Sequence, residues 1–144
     1  MAKRLMTVIL AAGMALATLP VQAGTAGPEG TWRMNNGKVT VRVSYCGGQA
    51  LCATIVGLAK PTYKDGTPKI DKHNPNPALR SRRVIGLAII SGMAPNGANH
   101  WKGQIYNADD GGTYRSTAEL AGDRMVVKGC WGPFCKTMDF RRGN

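Results

Sequence analysis

The segment from Lys38 to Tyr45 alternates between polar and apolar residues, and this alternation constrains the fold more than any other feature of the chain. Val39, Val41, Val43 and Tyr45 would lie on one face of a β-strand, because successive side chains of a strand point to opposite sides. Such a strand belongs to a sheet with one face in a core and the other in solvent. The pattern therefore predicts an antiparallel β protein.

Seven further segments resemble strands in composition or alternation, which brings the expected number to eight. They are Thr31–Met34, Ala50–Leu58, Val84–Ser91, His100–Tyr106, Thr113–Leu120, Arg124–Gly129 and Lys136–Arg142. Clusters of Gly, Asn and Asp separate most of them, and these residues tolerate the positive φ angles of tight turns. The pattern predicts an all-β, eight-stranded, up-and-down antiparallel barrel, because closure leaves no strand edge unpaired. The alternative is a two-sheet sandwich.

Residues 1–23 have the three-part layout of a secretory signal peptide. Lys3 and Arg4 precede an apolar run over residues 5–19, and the Val-Gln-Ala triplet at 21–23 fits a cleavage site. The apolar run is shorter than the roughly 20 residues of a membrane-spanning helix, which is the alternative. We therefore expect one mature domain, residues 24–144, without a transmembrane segment, in the periplasm or outside the cell.

The mature domain is strongly basic. Without Lys3 and Arg4, 17 Lys and Arg stand against 8 Asp and Glu, a net charge of about +9. Outside the cytoplasm the available anionic partners are lipid headgroups, lipopolysaccharide, wall polymers and acidic proteins. Nucleic acid is not expected as a partner, because an exported chain rarely meets it and the basic residues are scattered among the strands. The simpler interpretation is that the charge only maintains solubility. The oligomeric state does not follow from the sequence.

All four cysteines, Cys46, Cys52, Cys130 and Cys135, lie in the mature domain. An even number of cysteines in an oxidising compartment indicates disulfides. Four cysteines allow three pairings; we favour the two local bonds and leave cross-pairing open. Zinc is the alternative, but zinc knuckles prefer a C-x2-C spacing that neither pair has. We expect no metal and no cofactor.

Residues 60–83 interrupt the succession of strands with four prolines and few apolar side chains. Proline breaks helices and cannot donate to a strand ladder, so the segment is neither a long helix nor a central strand. A connection longer than about 15 residues is usually functional or disordered. This segment holds the densest polar chemistry of the chain: Asp65, Asp71, His73, Asn74, Arg80, Arg82 and Arg83.

Two interpretations of these polar residues stay open. In the functional one, the segment is a lid or recognition loop at the barrel mouth, and its arginines bind a carboxylate or phosphate. In the structural one, Asp71 pairs with an arginine and Asn74 caps a turn. A metal site built from Asp71, His73 and His100 has no fixed ligand spacing in its favour.

No catalytic arrangement is recognisable. Nucleophilic catalysis needs a nucleophile beside a base, whereas the cysteines are expected to be oxidised and no serine lies in a Gly-x-Ser-x-Gly motif. His73 and His100 are isolated, and Asp109 and Asp110 are neighbours at a turn. We therefore expect a protein that is not an enzyme, with a hydrolase of unknown class as the alternative.

Two features resemble the calycin superfamily, which comprises the lipocalins and their small-barrel relatives. Gly30-Thr31-Trp32 opens the first strand, as Gly-x-Trp does in those proteins, and Arg141 or Arg142 lies where they have an arginine stacked on the tryptophan. In such barrels the indole closes one end and the guanidinium packs on its face. The resemblance implies a lipocalin-like barrel in which Trp32 and one of the two arginines are structural.

An ordered set of motifs runs through nearly the whole mature domain. It comprises Gly30-Thr31-Trp32, Cys46 with Leu51-Cys52, Asp65-Gly66, Asp71-Lys72-His73-Asn74-Pro75, Leu79-Arg80-Ser81-Arg82, Gly86, Trp101-Lys102-Gly103-Gln104-Ile105-Tyr106-Asn107, Asp110-Gly111 with Tyr114, and Lys128-Gly129-Cys130. This set resembles the bacterial secreted domain-of-unknown-function family 2147. Ala53 departs from the family, which tends to have Gly after the second cysteine, and this affects only a local turn. The resemblance implies no established activity.

The function expected from charge, compartment and fold is non-catalytic binding. The ligand would be an anionic or amphipathic component of the cell envelope, such as an anionic lipid or lipopolysaccharide. Asp71, His73, Asn74, Arg80, Arg82 and Arg83 are the candidate binding residues. The alternative is an interaction protein whose cationic surface docks on an envelope polymer or an acidic partner protein.

Overall fold

Each of the eight predicted segments forms a strand. In the computed structural model, which describes residues 26–143, the strands are β1 (Gly30–Met34), β2 (Val39–Tyr45), β3 (Leu51–Leu58), β4 (Ala88–Pro95), β5 (His100–Asn107), β6 (Gly112–Ala121), β7 (Arg124–Trp131) and β8 (Phe134–Arg142). The predicted signal peptide, residues 1–23, lies outside the described residues. Within 26–143 no helix is long and apolar enough to cross a membrane.

The strands close into an up-and-down barrel. Each pairs antiparallel with its neighbour in the chain, and β1 pairs with β8, with Trp32 opposite Arg142 and Met34 opposite Phe140. The predicted barrel is therefore confirmed, and the sandwich alternative is wrong. Between β3 and β4 a short 3-10 helix, Pro77–Leu79, interrupts the long connection.

The predicted bounds of β4, Val84–Ser91, are wrong by four residues at each end, because the strand spans Ala88–Pro95. The backbone N–H of Val84 donates to Lys69 O at 3.0 Å, so this apolar residue belongs to the fold of the preceding loop. Gly86 then turns the chain with a φ of +99° before the strand begins. The predicted bounds of β7 and β8 are too short where the two strands approach their turn, since β7 continues to Trp131 and β8 starts at Phe134.

A tryptophan fills one end of the barrel, which we call the closed end. Trp32 is completely buried, and its Nε1 donates to Pro28 O at 2.8 Å. The guanidinium carbon of Arg142 lies 4.3 Å from the centre of the indole ring. Arg141 points away from the ring and contacts Asp123 at 3.2 Å. Of the two arginines, Arg142 therefore stacks on the tryptophan.

Arg142 also fixes the chain that precedes β1. Its two terminal nitrogens donate to Glu29 O at 2.9 Å and to Gly27 O at 2.8 Å. These carbonyls belong to residues that precede the first strand. The arginine thus links the end of β8 to the segment that covers the closed end.

Both disulfides are local. Cys46 is bonded to Cys52 and Cys130 to Cys135. The first crosslinks the β2–β3 hairpin at the closed end, and the second crosslinks the β7–β8 hairpin at the opposite end. The described residues contain no free cysteine.

At the opposite end of the barrel, which we call the mouth, the apolar side chains are less completely buried. The connections at residues 35–38, 59–87, 108–111 and 132–133 meet there. Partly exposed apolar side chains pack on the core near this end: Met34, Val39, Leu58, Val84, Ile89, Tyr114 and Met138. The mouth therefore has an apolar lining and a rim made of turns.

The wall of the barrel is weakest between β4 and β5. These strands pair only at Ala94–Lys102 and Pro95–Trp101, near the closed end. Towards the mouth a cleft of about 320 Å³ opens between them, and Tyr106 forms part of its wall. The long connection packs beside this cleft, as described next.

Candidate functional site

The β3–β4 connection, residues 59–87, is an ordered loop, which we call the mouth loop. Two isolated β-bridges, Thr62–Pro68 and Ile70–Arg83, fold it back on itself. Its 3-10 helix is capped by Asn76, whose Oδ1 accepts from Ala78 N at 3.1 Å. Two of the four prolines lie in these elements, Pro68 in a β-bridge and Pro77 at the start of the 3-10 helix.

A buried carboxylate holds the mouth loop to the barrel wall. Asp71 is completely buried, and both of its carboxylate oxygens accept hydrogen bonds. Tyr106 Oη on β5 donates to Oδ1 at 2.5 Å. Asn74 Nδ2 and Arg82 Nη2 donate to Oδ2 at 2.8 Å and 3.0 Å. The buried charge is thus paired and hydrogen-bonded, as a stable buried carboxylate requires.

The environment of Asp71 keeps it ionised. Burial raises its pKa, but the hydrogen bonds from Tyr106, Asn74 and Arg82 outweigh burial and hold the pKa below the ordinary value of 3.8. Burial and the adjacent carboxylate raise the pKa of Tyr106 to about 12. At neutral pH the pair is therefore a carboxylate accepting from a neutral phenol.

Asn74 connects the parts of this network. Its Nδ2 donates to Tyr106 Oη at 3.1 Å as well as to Asp71, and its Oδ1 accepts from Asn76 N at 2.9 Å. Arg80 Nε donates to Asn74 O at 2.8 Å. Asn74 is itself buried, so its side chain stabilises the loop and is not available to a ligand.

A glycine on the β5–β6 turn allows the mouth loop to approach closely. Gly111 has a φ of +75°, and a Cβ added there would lie 1.9 Å from His73 O. No other residue fits without moving the backbone of the loop. The turn and the mouth loop therefore form one packed unit at the rim.

Replacing Gly111 with alanine should displace the mouth loop while leaving the barrel closed. The added methyl group would overlap a backbone carbonyl, and the positive φ disfavours any L side chain. We expect trypsin to cleave within residues 60–83 faster than in the wild type. The control is Gly122→Ala, which also has a positive φ but lies at the closed end, with no atom near its added Cβ. Equal cleavage of both variants would contradict the close approach of the loop.

The exposed part of the mouth loop is cationic. Residues 59–87 contain seven Lys and Arg and two Asp, and Asp71 is paired with Arg82. Arg80 and Arg83 are exposed, and so are Lys60, Lys64 and Lys72. In the described part of the chain, Arg83 makes no side-chain hydrogen bond or ion pair with a protein group. The outer face of the loop therefore carries an excess of positive charge, in which Asp65 is the exposed carboxylate of residues 59–87.

The structure brings only some of the predicted site residues together. Asp71, Asn74 and Arg82 form the buried network, whereas His73, Arg80 and Arg83 lie on the exposed face. Sequence reasoning missed Tyr106 and Gly111, which complete the attachment. Both lie within the motifs that resemble the bacterial family of unknown function, and this resemblance was the available signal.

Residues considered for metal binding and catalysis do not converge. Asp71 and His73 lie at the mouth, whereas His100 lies at the closed end, with Nε2 3.5 Å from Glu119. Within 26–143 no group of three or more His, Cys, Asp or Glu is placed to hold a metal ion. The hydroxyl of Ser116 is buried in the barrel without a hydrogen-bond partner, so it has no neighbouring base.

The fold resembles a solved bacterial structure. Protein HP1028 from Helicobacter pylori, which is described as belonging to the lipocalin family, matches with a TM-score of 0.67 and 26% sequence identity. The match covers 81% of this chain and 82% of that chain. The lipocalin-like character of the barrel is therefore shown, and it is consistent with a small binding barrel. No curated protein matches the chain.

The motif order that the sequence shares with one bacterial family is also confirmed. The family model described as "Uncharacterized protein conserved in bacteria (DUF2147)" matches residues 30–142. This range runs from the first residue of β1 to the last residue of β8 and contains the whole mouth loop. The chain belongs to this family of uncharacterised bacterial proteins.

Proposed function

We propose that the protein is an exported, non-catalytic binding module that holds an anionic, amphipathic component of the cell envelope at the barrel mouth. The observation that carries this proposal is the mouth loop, whose seven basic residues stand against two acidic ones. A buried network fixes the loop in place, so its exposed arginines are already ordered before a ligand arrives. Pre-ordering lowers the entropy that binding would otherwise cost.

The cationic face of the mouth loop and the apolar side chains at the mouth indicate the chemistry of the ligand. Arg80 and Arg83 offer guanidinium groups, which bind phosphate or carboxylate in a bidentate manner. At the same end of the barrel, Met34, Leu58 and Met138 are partly exposed apolar side chains that pack on the core. An anionic head on the loop with an apolar part at the mouth would satisfy both surfaces.

The proposed location outside the cytoplasm is supported by the cysteines. All four are in disulfides, and such bonds are typical of oxidising compartments. The barrel is compatible with an exported protein, and the predicted signal peptide would supply the route. In this compartment the abundant anionic amphiphiles are lipids and lipopolysaccharide.

We infer that the protein does not convert its ligand chemically, because its reactive side chains are not arranged for catalysis. The ionised Asp71, a residue of the mouth loop, is completely buried, and the cysteines are oxidised. His73 is exposed at the rim without a carboxylate or hydroxyl partner in the described residues. General acid–base or nucleophilic catalysis needs such groups within hydrogen-bond reach of each other.

Binding to lipopolysaccharide and to phosphatidylglycerol vesicles should be strong at low salt and weaken steeply towards physiological ionic strength. Exposed charge contacts are screened over about 8 Å at 0.15 M salt. The double variant Arg80→Ala/Arg83→Ala should bind roughly tenfold more weakly at low salt. Both side chains are exposed. The substitution removes one hydrogen bond, from Arg80 Nε to Asn74 O, so the free energy of unfolding should fall by only about 1 kcal/mol.

A matched control removes the same charge elsewhere. Arg42 and Lys102 are exposed on the outer wall of β2 and β5. The variant Arg42→Ala/Lys102→Ala should keep most of the wild-type affinity. Equal weakening by both double variants would mean that only net charge matters, and salt-insensitive binding of a neutral lipid would contradict the proposal.

A further inference from the structure

Two large aromatic side chains stand in solvent at the tip of the β7–β8 hairpin. Trp131 is 74% exposed and Phe134 is 71% exposed. They are paired across the hairpin and flank the two-residue turn Gly132-Pro133. Most other large apolar side chains of the described chain are at least partly buried, and such a concentration at one tip indicates a contact site.

The tip projects beyond the rim of the barrel. Pairing between β6 and β7 ends at Arg115–Cys130, and pairing between β1 and β8 ends at Met34–Phe140. The last pair of the hairpin, Trp131–Phe134, therefore has no neighbouring strand on either side. By strand alternation these two residues continue the inward face of Val127 and Phe140, but no wall remains there to cover them.

The geometry of the tip is fixed by covalent and backbone constraints. The Cys130–Cys135 disulfide joins the two strands directly below the aromatic pair. Gly132 takes a φ of +55° at the first position of the turn, and Pro133 restricts the next φ. A rigid projection loses little conformational freedom when it is inserted into another phase.

Positive charge surrounds the aromatic pair. Lys128 and Lys136 are exposed on the same hairpin, and residues 128–137 contain no acidic side chain. Arg115 is exposed opposite Cys130. The tip lies at the same end of the barrel as the cationic mouth loop, although the β5–β6 turn at this end also carries Asp109 and Asp110.

We propose that this tip docks the protein on an anionic lipid bilayer, with Trp131 and Phe134 inserted at the level of the headgroups. The inference rests on the proposed function, from which it takes the negative charge of the partner. What it adds is that the partner is a lipid surface and that the tip makes the contact. Tryptophan and phenylalanine partition into the interface of a bilayer, and nearby lysines add electrostatic attraction to anionic headgroups. A convex, narrow tip suits a fluid interface.

The orientation follows from the position of the tip. Insertion of the β7–β8 tip would bring the mouth, and with it Arg80 and Arg83, to the headgroup layer. The closed end, with Trp32, would point away from the membrane. The mouth would then receive an anionic amphiphile directly from the bilayer surface.

Tryptophan fluorescence tests this proposal, because Trp32 and Trp101 are buried and Trp131 is exposed. The disulfide-intact protein is mixed at low salt with vesicles of phosphatidylglycerol and phosphatidylethanolamine, and separately with phosphatidylcholine vesicles. On the anionic vesicles we expect a blue shift of the emission and quenching by lipids brominated near the headgroup. An unshifted emission in the vesicle-bound protein would overturn the insertion of Trp131.

The double variant Trp131→Ser/Phe134→Ser should raise the apparent dissociation constant for anionic vesicles by roughly tenfold or more, as the loss of two buried aromatic side chains predicts. The control is Tyr45→Ser, which removes an exposed aromatic side chain on β2 near the closed end and should bind like the wild type. The double variant should melt close to the wild-type temperature. Tyr45 is only 38% exposed, so Tyr45→Ser should melt at a lower temperature and serves as a control for vesicle binding of the folded protein only. Wild-type affinity in the double variant would overturn the docking proposal.

The outcomes separate this proposal from the proposed function. If Arg80→Ala/Arg83→Ala weakens vesicle binding and Trp131→Ser/Phe134→Ser does not, the cationic binding module stands and the inserted tip is wrong. If only the aromatic variant weakens binding, the tip inserts and the role of the loop arginines is wrong. If the protein does not bind anionic vesicles, the docking proposal is wrong, and the exposed aromatic pair is then explained by a protein partner. The proposed function then stands only if the protein binds lipopolysaccharide.

Discussion

Replacing Trp32 with alanine should lower the free energy of unfolding by about 3–5 kcal/mol, the range for large buried aromatic side chains. The side chain is completely buried at the closed end. Its removal would leave a cavity, a vacant carbonyl at Pro28 and an unstacked Arg142. Denaturant unfolding followed by circular dichroism gives the measurement.

The matched control is the same substitution at an exposed position. Trp131→Ala removes an identical side chain that is 74% exposed, and should change the free energy of unfolding by less than about 0.5 kcal/mol. Similar losses in the two variants would contradict the assignment of Trp32 as the anchor of the closed end. A loss below about 1 kcal/mol for Trp32→Ala would contradict it as well.

Replacing Asp71 with asparagine should open the mouth loop at neutral pH. Each carboxylate oxygen now accepts from a donor, whereas one atom of the asparagine amide is itself a donor. Leaving the donor of Tyr106 or of the buried Asn74 unsatisfied costs about 2 kcal/mol. That change corresponds to a roughly 30-fold larger population of the undocked loop. Tryptic cleavage within residues 60–83 should accelerate in proportion.

Acid should have the same effect on the wild-type protein. The folded-state pKa of Asp71 lies below its ordinary value of 3.8, so its stabilising contribution is complete at neutral pH. The contribution begins to fall as the pH approaches the unfolded-state value, and is lost as the pH drops through the folded-state pKa. The Asp71→Asn variant lacks this dependence. The difference in stability between the two proteins should therefore shrink below about pH 4.

The control for the loop is Asp109→Asn. It removes an exposed carboxylate from the neighbouring β5–β6 turn, and Asp109 is outside the buried network. Its cleavage rate should match that of the wild type. If Asp71→Asn and Asp109→Asn are cleaved alike, the buried network does not hold the loop.

The strands could be predicted because their signals are local. Alternation in β2 lies within seven residues, and the turns are marked by residues that accept a positive φ. The start of β4 was wrong because Val84 and Leu87 are apolar and bury against the sheet from within the loop. Alternation alone does not distinguish such a segment from a strand.

The organisation of the site depended on long-range contacts that one sequence does not reveal. Asp71 and Tyr106 are 35 residues apart in the chain, and nothing in their flanking residues marks them as partners. Three arginines follow Asp71, and only the path of the loop selects Arg82 over Arg80 and Arg83. The sequence therefore predicted an ion pair in general terms, and the structure decided which residues remain free to bind.

The exposure of Trp131 and Phe134 could not be predicted from the sequence either. In the sequence, Trp131 and Phe134 flank Gly-Pro between two predicted strands, and such a connection can pack its aromatic side chains on the barrel. Whether they are covered depends on how far β1 and β6 extend beside the hairpin. That length follows from the register of the sheet, which the composition of β7 and β8 does not contain.

The order of the strands makes closure of the barrel depend on one ladder, between β1 and β8. Seven of the eight ladders join strands that follow each other in the chain. Six of these seven, all except β3–β4 with its long mouth loop, are connected by turns of at most five residues and can form as hairpins of low contact order. The β1–β8 ladder alone joins distant segments, and its register runs from Trp32–Arg142 to Met34–Phe140. Until residues 140–142 are available, the polypeptide is an open sheet with two unpaired edges, a form prone to edge-to-edge association. The stacking of Arg142 on Trp32 therefore stabilises the ladder that closes the barrel. A chain shortened by residues 140–142 should aggregate while its hairpins are still formed.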